Sequence, residues 1–333
     1  MSEIVKWSYS SINTLRQCNR RYYYANILAT HGRKDPLRRK AYELKAMQTL
    51  QMWRGSVVDK FLELVLIPAI TSKGVLDFAQ LSDQAVEMAK AQFRYSKNKG
   101  YTDPQQKKGH DFCVLNIHEI GTPYQESDIE ECYGMIKAAI VNFPSICMPD
   151  GERLLDYLYR CNGLTPNVNN YVVEIGNARL MPQIDLVAIC DWKPVVMDWK
   201  LSASYTSDFS RQLIICGLTI YLRRLQKADK APYQYSDIKL YEVNLFKGTV
   251  KEHIFSKDAV TDLYDRIALT TRDIQLLKDG IAGEAEIENY EITDDEGLCS
   301  TCNFQTLCSY LFTNKNQYDE KSYLEFVQHS EFS

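Results

Sequence analysis

Two aspartates and a lysine stand out because they interrupt an otherwise apolar part of the chain. Asp185 and Asp198 each lie in a run rich in Val, Ile and Leu, and Lys200 follows the second aspartate by two residues. A carboxylate in an apolar strand is costly unless its charge is compensated, and a bound cation is a common compensation. Because strand side chains alternate between faces, Asp198 and Lys200 are predicted to share one face, with Trp199 on the other.

The chemistry that these side chains could support is metal-assisted hydrolysis of a phosphodiester. Carboxylates on neighbouring strands can hold a hard divalent cation such as Mg²⁺, which prefers oxygen ligands and keeps several waters. An amine beside them could orient the attacking water or stabilise the charge that develops on a phosphate. A pattern as short as D-x-K also occurs by chance, so Asp198 and Lys200 taken alone could equally be a surface pair on an edge strand.

Three predicted β segments carry these residues, over 171–176, 180–190 and 194–201. The sequences between them, Gly-Asn and Asp-Trp-Lys-Pro, are typical of turns. The second and third segments are predicted to form a hairpin. Two further strands, over 238–246 and 249–255, are joined by a Lys-Gly turn and are predicted to extend the sheet.

The rest of the regular structure is predicted to be helical, from apolar residues at helical spacing and from capping residues. The predicted helices cover 8–28, 52–66, 207–226 and 258–280, and the region 82–160 is mainly helical. The predicted fold class is therefore α/β, with a central mixed β-sheet flanked by helices.

A second group of candidate metal ligands lies near the C-terminus. Cys299, Cys302 and Cys308 form a C-x2-C-x5-C pattern, a metal-ligating spacing that leaves one coordination position open. Spacing alone does not separate a structural zinc site from an iron-sulfur cluster. Six other cysteines lie among apolar neighbours and are predicted to be reduced core residues. These are Cys113, Cys132, Cys147, Cys161, Cys190 and Cys216.

The composition is that of an ordinary globular protein, with 45% hydrophobic and 25% charged residues among 333. A net charge of −4 excludes a chain coated uniformly in positive charge, although a local basic patch is enough to bind nucleic acid. No apolar run approaches the roughly 20 residues that span a bilayer, and the N-terminus lacks the apolar core of a signal peptide. We expect a cytoplasmic protein with no membrane partner.

A basic segment over 31–45 is the clearest local patch. Its cations are Arg33, Lys34, Arg38, Arg39, Lys40 and Lys45. Taken alone, such a run is usually a solvated charged face. Beside a phosphodiesterase site, contact with the DNA backbone becomes the favoured interpretation. A second basic loop is predicted over 97–109, with Lys97, Lys99, Lys107 and Lys108.

The order I-D-(x12)-D-W-K resembles the PD-(D/E)xK nuclease superfamily, specifically its RecB-like branch. The opening of the chain resembles the same branch, in which S-x-S-x-L is followed by C-x-R-x-Y. The matching residues are Ser8, Ser10, Ile12, Cys18, Arg20 and Tyr22, with Ile in place of Leu. The resemblance implies that Cys18 joins the three C-terminal cysteines as ligands of a [4Fe-4S] cluster, as in AddB-type nucleases, exonuclease V and CRISPR-adaptation nucleases. Zn²⁺ is the less favoured occupant.

The resemblance also implies roles around the two aspartates. Asp185 and Asp198, with the main-chain carbonyl of Trp199, would bind Mg²⁺ or Mn²⁺. Lys200 would position or activate the attacking water.

Two family motifs are only partly matched. In G-x-x-x-H the histidine is a metal ligand, but here Gly55 is followed by Asp59, which could still bind Mg²⁺ or Mn²⁺. In Q-x-x-x-Y the glutamine lies near the active site. Gln212 matches it, but Cys216 replaces the tyrosine.

By resemblance, the protein would be a metal-dependent deoxyribonuclease, an exonuclease or end-trimming enzyme acting on single-stranded DNA or on a free end. Helicase, integrase or recombination proteins would be its partners. We expect one RecB-like domain over 1–333, with a helical insert at 70–170 and a cluster element formed by 297–310 with Cys18. The alternative is a weakly active or inactive DNA-binding subunit of a recombination or CRISPR-adaptation complex, which the replacements at Asp59 and Cys216 favour.

Overall fold

The computed structural model describes residues 4–30, 34–103, 109–201, 209–279 and 287–329. The strands are β1 (Val5–Trp7), β2 (Met47–Gln48), β3 (Val114–Leu115), β4 (Gly163–Val168), β5 (Val173–Ile175), β6 (Ala178–Leu180), β7 (Ile184–Cys190), β8 (Lys193–Lys200), β9 (Lys239–Asn244) and β10 (Thr249–His253).

The helices are α1 (Tyr9–Gln17), α2 (Asn19–Tyr22), α3 (Pro36–Ala46), α4 (Leu50–Phe61), α5 (Ile67–Thr71), α6 (Phe78–Lys97), α7 (Asn116–Glu119), α8 (Glu126–Val141), α9 (Leu154–Arg160), α10 (Ser210–Leu225), α11 (Lys257–Asp279), α12 (Glu296–Ser300), α13 (Gln305–Thr313) and α14 (Glu320–His329). The predicted helix over 8–28 is interrupted at Cys18, which instead caps the N-terminus of α2.

The chain forms two compact units. The first comprises Met1–Ser8, Arg54–Met88 and Glu131–Leu276, and the second comprises Tyr9–Trp53, Ala89–Glu130 and Leu277–Ser333. The single domain and the helical insert inferred from the sequence stay predictions. Among the described residues, no helix is long and apolar enough to cross a membrane.

A five-stranded sheet in the order β10-β9-β8-β7-β4 lies in the first unit. Strands β8 and β9 run parallel, and the other neighbours are antiparallel, so the sheet is mixed as predicted. Helix α10 covers one face, where a Cβ atom on Gly217 would lie only 3.1 Å from Leu240. On the other face, Trp199 meets Phe143 and Tyr241 meets Tyr157 of α9. The α/β fold class is confirmed.

The predicted hairpin is formed by β7 and β8, the most buried strands of this sheet. Their Val, Ile and Leu side chains are buried on both faces, as expected for central strands. Asp191 and Trp192 both have positive φ, at 51° and 63°, as a two-residue turn of this hand requires. The segment predicted as one strand over 180–190 is two strands, because the chain leaves the ladder around Pro182.

The second unit contains a buried ion cluster that changes the interpretation of the basic segment. Lys40 Nζ lies 2.6 Å from Glu43 Oε2 and 2.9 Å from Glu119 Oε1, and Tyr101 donates a hydrogen bond of 2.8 Å to Glu119. Burial lowers the pKa of Lys40, but the charges of Glu119 and Glu43 outweigh burial and raise it overall. The prediction that Lys40 contacts DNA is therefore wrong, because this lysine is bound inside the fold.

Some of the other cations in the predicted basic patches are paired within the fold, and others are exposed to solvent. Arg39 pairs with Glu320 and Glu43, and Lys45 Nζ donates a hydrogen bond of 2.7 Å to the Ala25 carbonyl. Lys34, Lys97 and Lys99 are exposed. Arg33, Lys107 and Lys108 lie outside the described residues.

The six cysteines predicted to be reduced core residues divide into three groups. Cys113, Cys132 and Cys216 are buried and outside any disulfide as predicted, whereas Cys147 is outside any disulfide but exposed. Cys161 and Cys190 form a disulfide, so the prediction of reduced thiols is wrong for this pair. The cause is strand pairing, because the antiparallel alignment of β4 and β7 brings the two residues together.

Candidate active site

Asp185 and Asp198 lie side by side on one face of the central sheet. Leu186 pairs with Met197 across the hairpin, and continuing that register by one residue places the two aspartates opposite each other. Side chains opposed in this way have Cβ atoms about 5 Å apart. Burial, and next the charge of Asp198, raise the pKa of Asp185, as expected of neighbouring carboxylates. The amide N–H of Trp199 also donates to Asp185 Oδ2 at 2.9 Å.

The remaining contacts of Asp198 come from Lys200 and Gln212. Lys200 Nζ forms an ion pair with Asp198 Oδ2, which confirms that these residues share a face. Gln212 Nε2, on α10, donates a hydrogen bond of 3.1 Å to Asp198 Oδ1. The Lys200 amine also lies 4.4 Å from the centre of the Phe209 ring. An amine is thus held against a carboxylate at the point where the β8 strand ends.

Asp59 approaches the same acids from α4, where its neighbours Val58 and Phe61 are fully buried. The pKa of Asp59 is raised well above its usual value. The largest cause is burial by surrounding protein, the next is the charge of Asp185, and the charge of Asp198 has a smaller effect. Its side chain is nevertheless exposed to solvent. Asp59 is therefore open to solvent on one side and electrostatically coupled to Asp185 on the other.

The crowding of carboxylates is the dominant electrostatic feature of the site. Burial, and next the charge of Asp198, raise the pKa of Asp185 to about 7. Burial also raises the pKa of Asp198, although Lys200 opposes the rise. One cation, Lys200, therefore faces three acids, and such an excess of negative charge is what a divalent cation would neutralise.

Trp199 contacts the acids only through its main chain. Its indole ring packs on the opposite face of the sheet and is 4% exposed. Cys216, at the position where the family has tyrosine, is fully enclosed, and burial, followed by the charges of Asp198 and Asp185, raises its pKa.

Sequence reasoning missed two polar residues that border the acids. Asn167 of β4 donates a hydrogen bond of 2.6 Å to Glu63, one turn beyond Asp59 on the same helical segment. Glu242 of β9 pairs in register with Asp198. The signal for Glu242 was present, because it interrupts the apolar sequence KLYEVN as the two aspartates interrupt theirs.

The four predicted cysteine ligands line one cleft of about 320 Å³ in the second unit. The charge of Cys18 contributes to the raised pKa of each of the other three thiols, after the effect of burial. Two sulfurs accept backbone hydrogen bonds of 3.4 Å, Cys18 from Arg21 and Cys302 from Phe304. Within the described ranges, however, no set of three or more His, Cys, Asp or Glu side chains is arranged so that it could hold a single metal ion.

The structure thus combines an α/β fold and a central mixed sheet with a hairpin that carries two acids and an amine on one face. The family model of the PD-(D/E)XK nuclease superfamily matches residues 6–309, and the chain belongs to this superfamily. No curated protein matches the chain.

Proposed function

We propose that the protein is a divalent-cation-dependent deoxyribonuclease whose active site is built from Asp185, Asp198 and Lys200. Membership of the superfamily indicates a nuclease with a nucleic-acid substrate. The observation that carries the proposal is the pair of opposed carboxylates, Asp198 buried and Asp185 half-buried, with an amine paired to Asp198. An inactive DNA-binding subunit is the second candidate, favoured by Cys216 and by Asp59 in place of the family residues.

The donors are carboxylate oxygens, the kind that a hard cation prefers, although the described acids do not form a preformed site with three ligands. Asp185, Asp198 and Asp59 would hold Mg²⁺ or Mn²⁺, with the Trp199 carbonyl as a further ligand, and the cation would activate water and neutralise phosphate charge. Lys200 would hold the attacking water and supply positive charge beside the phosphate, and Gln212 would fix the orientation of Asp198 through its amide.

We propose single-stranded DNA with a free end as the substrate, cut as an exonuclease or a flap trimmer. The test is incubation of the full chain and Mn²⁺ with end-labelled single strands whose 5′ or 3′ end is blocked. The proposal is supported if the strand is shortened stepwise and one of the two end blocks abolishes the shortening. The block that does so gives the polarity of cleavage. Internal cuts unaffected by either block would contradict end dependence, and no cleavage of any strand would favour the binding subunit.

A pH dependence follows from the raised pKa of Asp185. Its folded value of about 7 lies above the unfolded value of about 3.9. In cation-free protein this group therefore contributes stability that is complete below about pH 3.9 and is lost as the pH rises through about 7. A divalent cation binds the ionised carboxylate, so we expect Mn²⁺ to raise the melting temperature little at about pH 5.5 and most above about pH 7.5. An increase that does not vary with pH would contradict this assignment.

We propose a [4Fe-4S] cluster on Cys18, Cys299, Cys302 and Cys308. The support for this proposal is that the four thiols line one cleft and match the cysteine spacing of the iron-sulfur nucleases that the sequence resembles. Backbone N–H groups directed at two of the sulfurs would stabilise thiolate ligands. The cluster would hold Cys18 beside the C-terminal helices as a structural element. Helicase, integrase or recombination partners stay predictions.

Anaerobically purified protein should be brown, with broad absorption at the violet end of the visible spectrum and about four irons per chain. Cys18→Ser should remove most of the colour and iron. Cys147→Ser, which changes an exposed cysteine outside the cleft, should leave both unchanged. A colourless protein with about one zinc per chain would contradict the cluster and indicate a zinc site.

A further inference from the structure

A third carboxylate lies in the row formed by the two aspartates. Strands β8 and β9 pair in parallel with Asp198 beside Glu242, so the two side chains leave the sheet on the same face. The negative charge of Glu242 is one of the causes that raise the pKa of Asp198, after burial and against the opposing effect of Lys200. The row of acids on the central sheet therefore extends from β7 through β8 to β9.

Glu242 is held from its other side by a histidine. His253 Nε2 donates a hydrogen bond of 3.0 Å to Glu242 Oε2. His253 lies on β10, the edge strand beyond β9, and is 7% exposed. This bond ties the Glu242 carboxylate to the edge strand β10.

This arrangement costs stability, which makes a purely structural origin unattractive. Like charges on neighbouring strand residues that share a face destabilise a sheet. His253 compensates the charge of Glu242 with a charge of its own only when the imidazole is protonated. Costly ionisable groups of this kind concentrate at functional sites.

We propose that Glu242 is a positioning residue of the cation site, adding its negative charge beside Asp198, and that His253 fixes the position of this carboxylate. The inference rests on the proposed function, since it requires a divalent cation at Asp185 and Asp198. Glu242 acts through the charge of the row and does not itself touch the substrate. Its removal should therefore weaken cation binding, whereas the rate at saturating cation should change little.

The test is direct binding of Mn²⁺ to the full chain with no substrate present. The electron paramagnetic resonance signal of the free ion measures how much Mn²⁺ stays unbound. We expect Glu242→Gln to weaken binding about tenfold, through the loss of one charge near a divalent ion. Glu252→Gln is the matched control, because Glu252 lies on β10, pairs with Lys239 at 2.6 Å and is half exposed. It should leave binding unchanged.

A double-mutant cycle tests the role of His253. His253→Gln retains a side-chain hydrogen-bond donor, so this variant should bind Mn²⁺ with the affinity of the wild type. His253→Leu has no donor, so it should change the Mn²⁺ affinity only when Glu242 is present. If His253→Leu has the same effect in the Glu242→Gln background, His253 only packs and its proposed role is overturned. Thermal unfolding of each variant without cation identifies any that fail to fold, and His253→Gln is then the decisive variant.

Asp198→Asn separates the inference from the proposed function. If Asp198→Asn weakens Mn²⁺ binding and Glu242→Gln does not, the inference is overturned and the proposed function stands. If neither variant weakens binding, the cation site itself is wrong and the inference falls with it.

Discussion

Replacing Lys200 with alanine should lower the rate of DNA cleavage on the order of 10³-fold at saturating Mn²⁺, the size typical of a lost charge-stabilising or proton-transfer group. The amine pairs with Asp198 and is the only cation found to pair with the row of acids among the described residues. Single-turnover cleavage of an end-labelled single strand measures the effect on the chemical step.

Two controls make the Lys200 result interpretable. Lys193→Ala removes an exposed lysine at the other end of the same strand, paired with Asp237 at 2.8 Å, and should leave the rate within about twofold. Lys200→Arg keeps the charge but changes the donor geometry, so it should recover only part of the loss. If Lys200→Ala cleaves as fast as Lys193→Ala, the amine has no role in the chemical step.

Replacing Lys40 with methionine should destabilise the fold by about 3–5 kcal/mol. The substitution keeps most of the side-chain volume but removes the cation that Glu119 and Glu43 share, and leaves Glu43 only the longer contact with Arg39. The free energy of unfolding in urea, measured without DNA, gives the loss. The size of the effect follows from burial, since the Lys40 side chain is only 9% exposed.

Lys137→Met is the matched control for this ion cluster. Its amine pairs with Asp83 at 2.7 Å, but the lysine side chain is 53% exposed, so its loss should cost less than about 1 kcal/mol. Adding Glu43→Gln and Glu119→Gln to Lys40→Met should recover part of the lost stability, because the unpaired charges are then removed. Equal effects of Lys40→Met and Lys137→Met would show that burial does not matter here.

The sequence was sufficient for the features that depend on local patterns. The acids at positions 185 and 198 stood out against Val, Ile and Leu, and alternation along a strand placed Lys200 on the face of the second acid. The hairpin between them followed from its turn residues. The helices over 207–226 and 258–280 were predicted within a few residues, because their apolar spacing is regular, whereas the helix predicted over 8–28 is interrupted at Cys18.

Features that depend on pairing between distant segments were not predicted. The partners of Lys40 include Glu119, 79 residues away, and charge along the chain does not indicate which groups fold against each other. The disulfide between Cys161 and Cys190 requires the register of β4 on β7, which no local pattern specifies. Glu242 was within reach, since an acid in an apolar strand is the signal that identified Asp185.

The central claim is that Asp185 and Asp198 form one cation-dependent hydrolytic centre with Lys200. Its most direct test is cleavage of end-labelled single-stranded DNA by the wild type and by Asp198→Asn across a Mn²⁺ titration. The account predicts no cleavage by the wild type without a divalent cation, saturable cleavage with it, and no detectable cleavage by Asp198→Asn at any concentration. Equal cleavage by both proteins, or cleavage that persists in excess chelator, would contradict it.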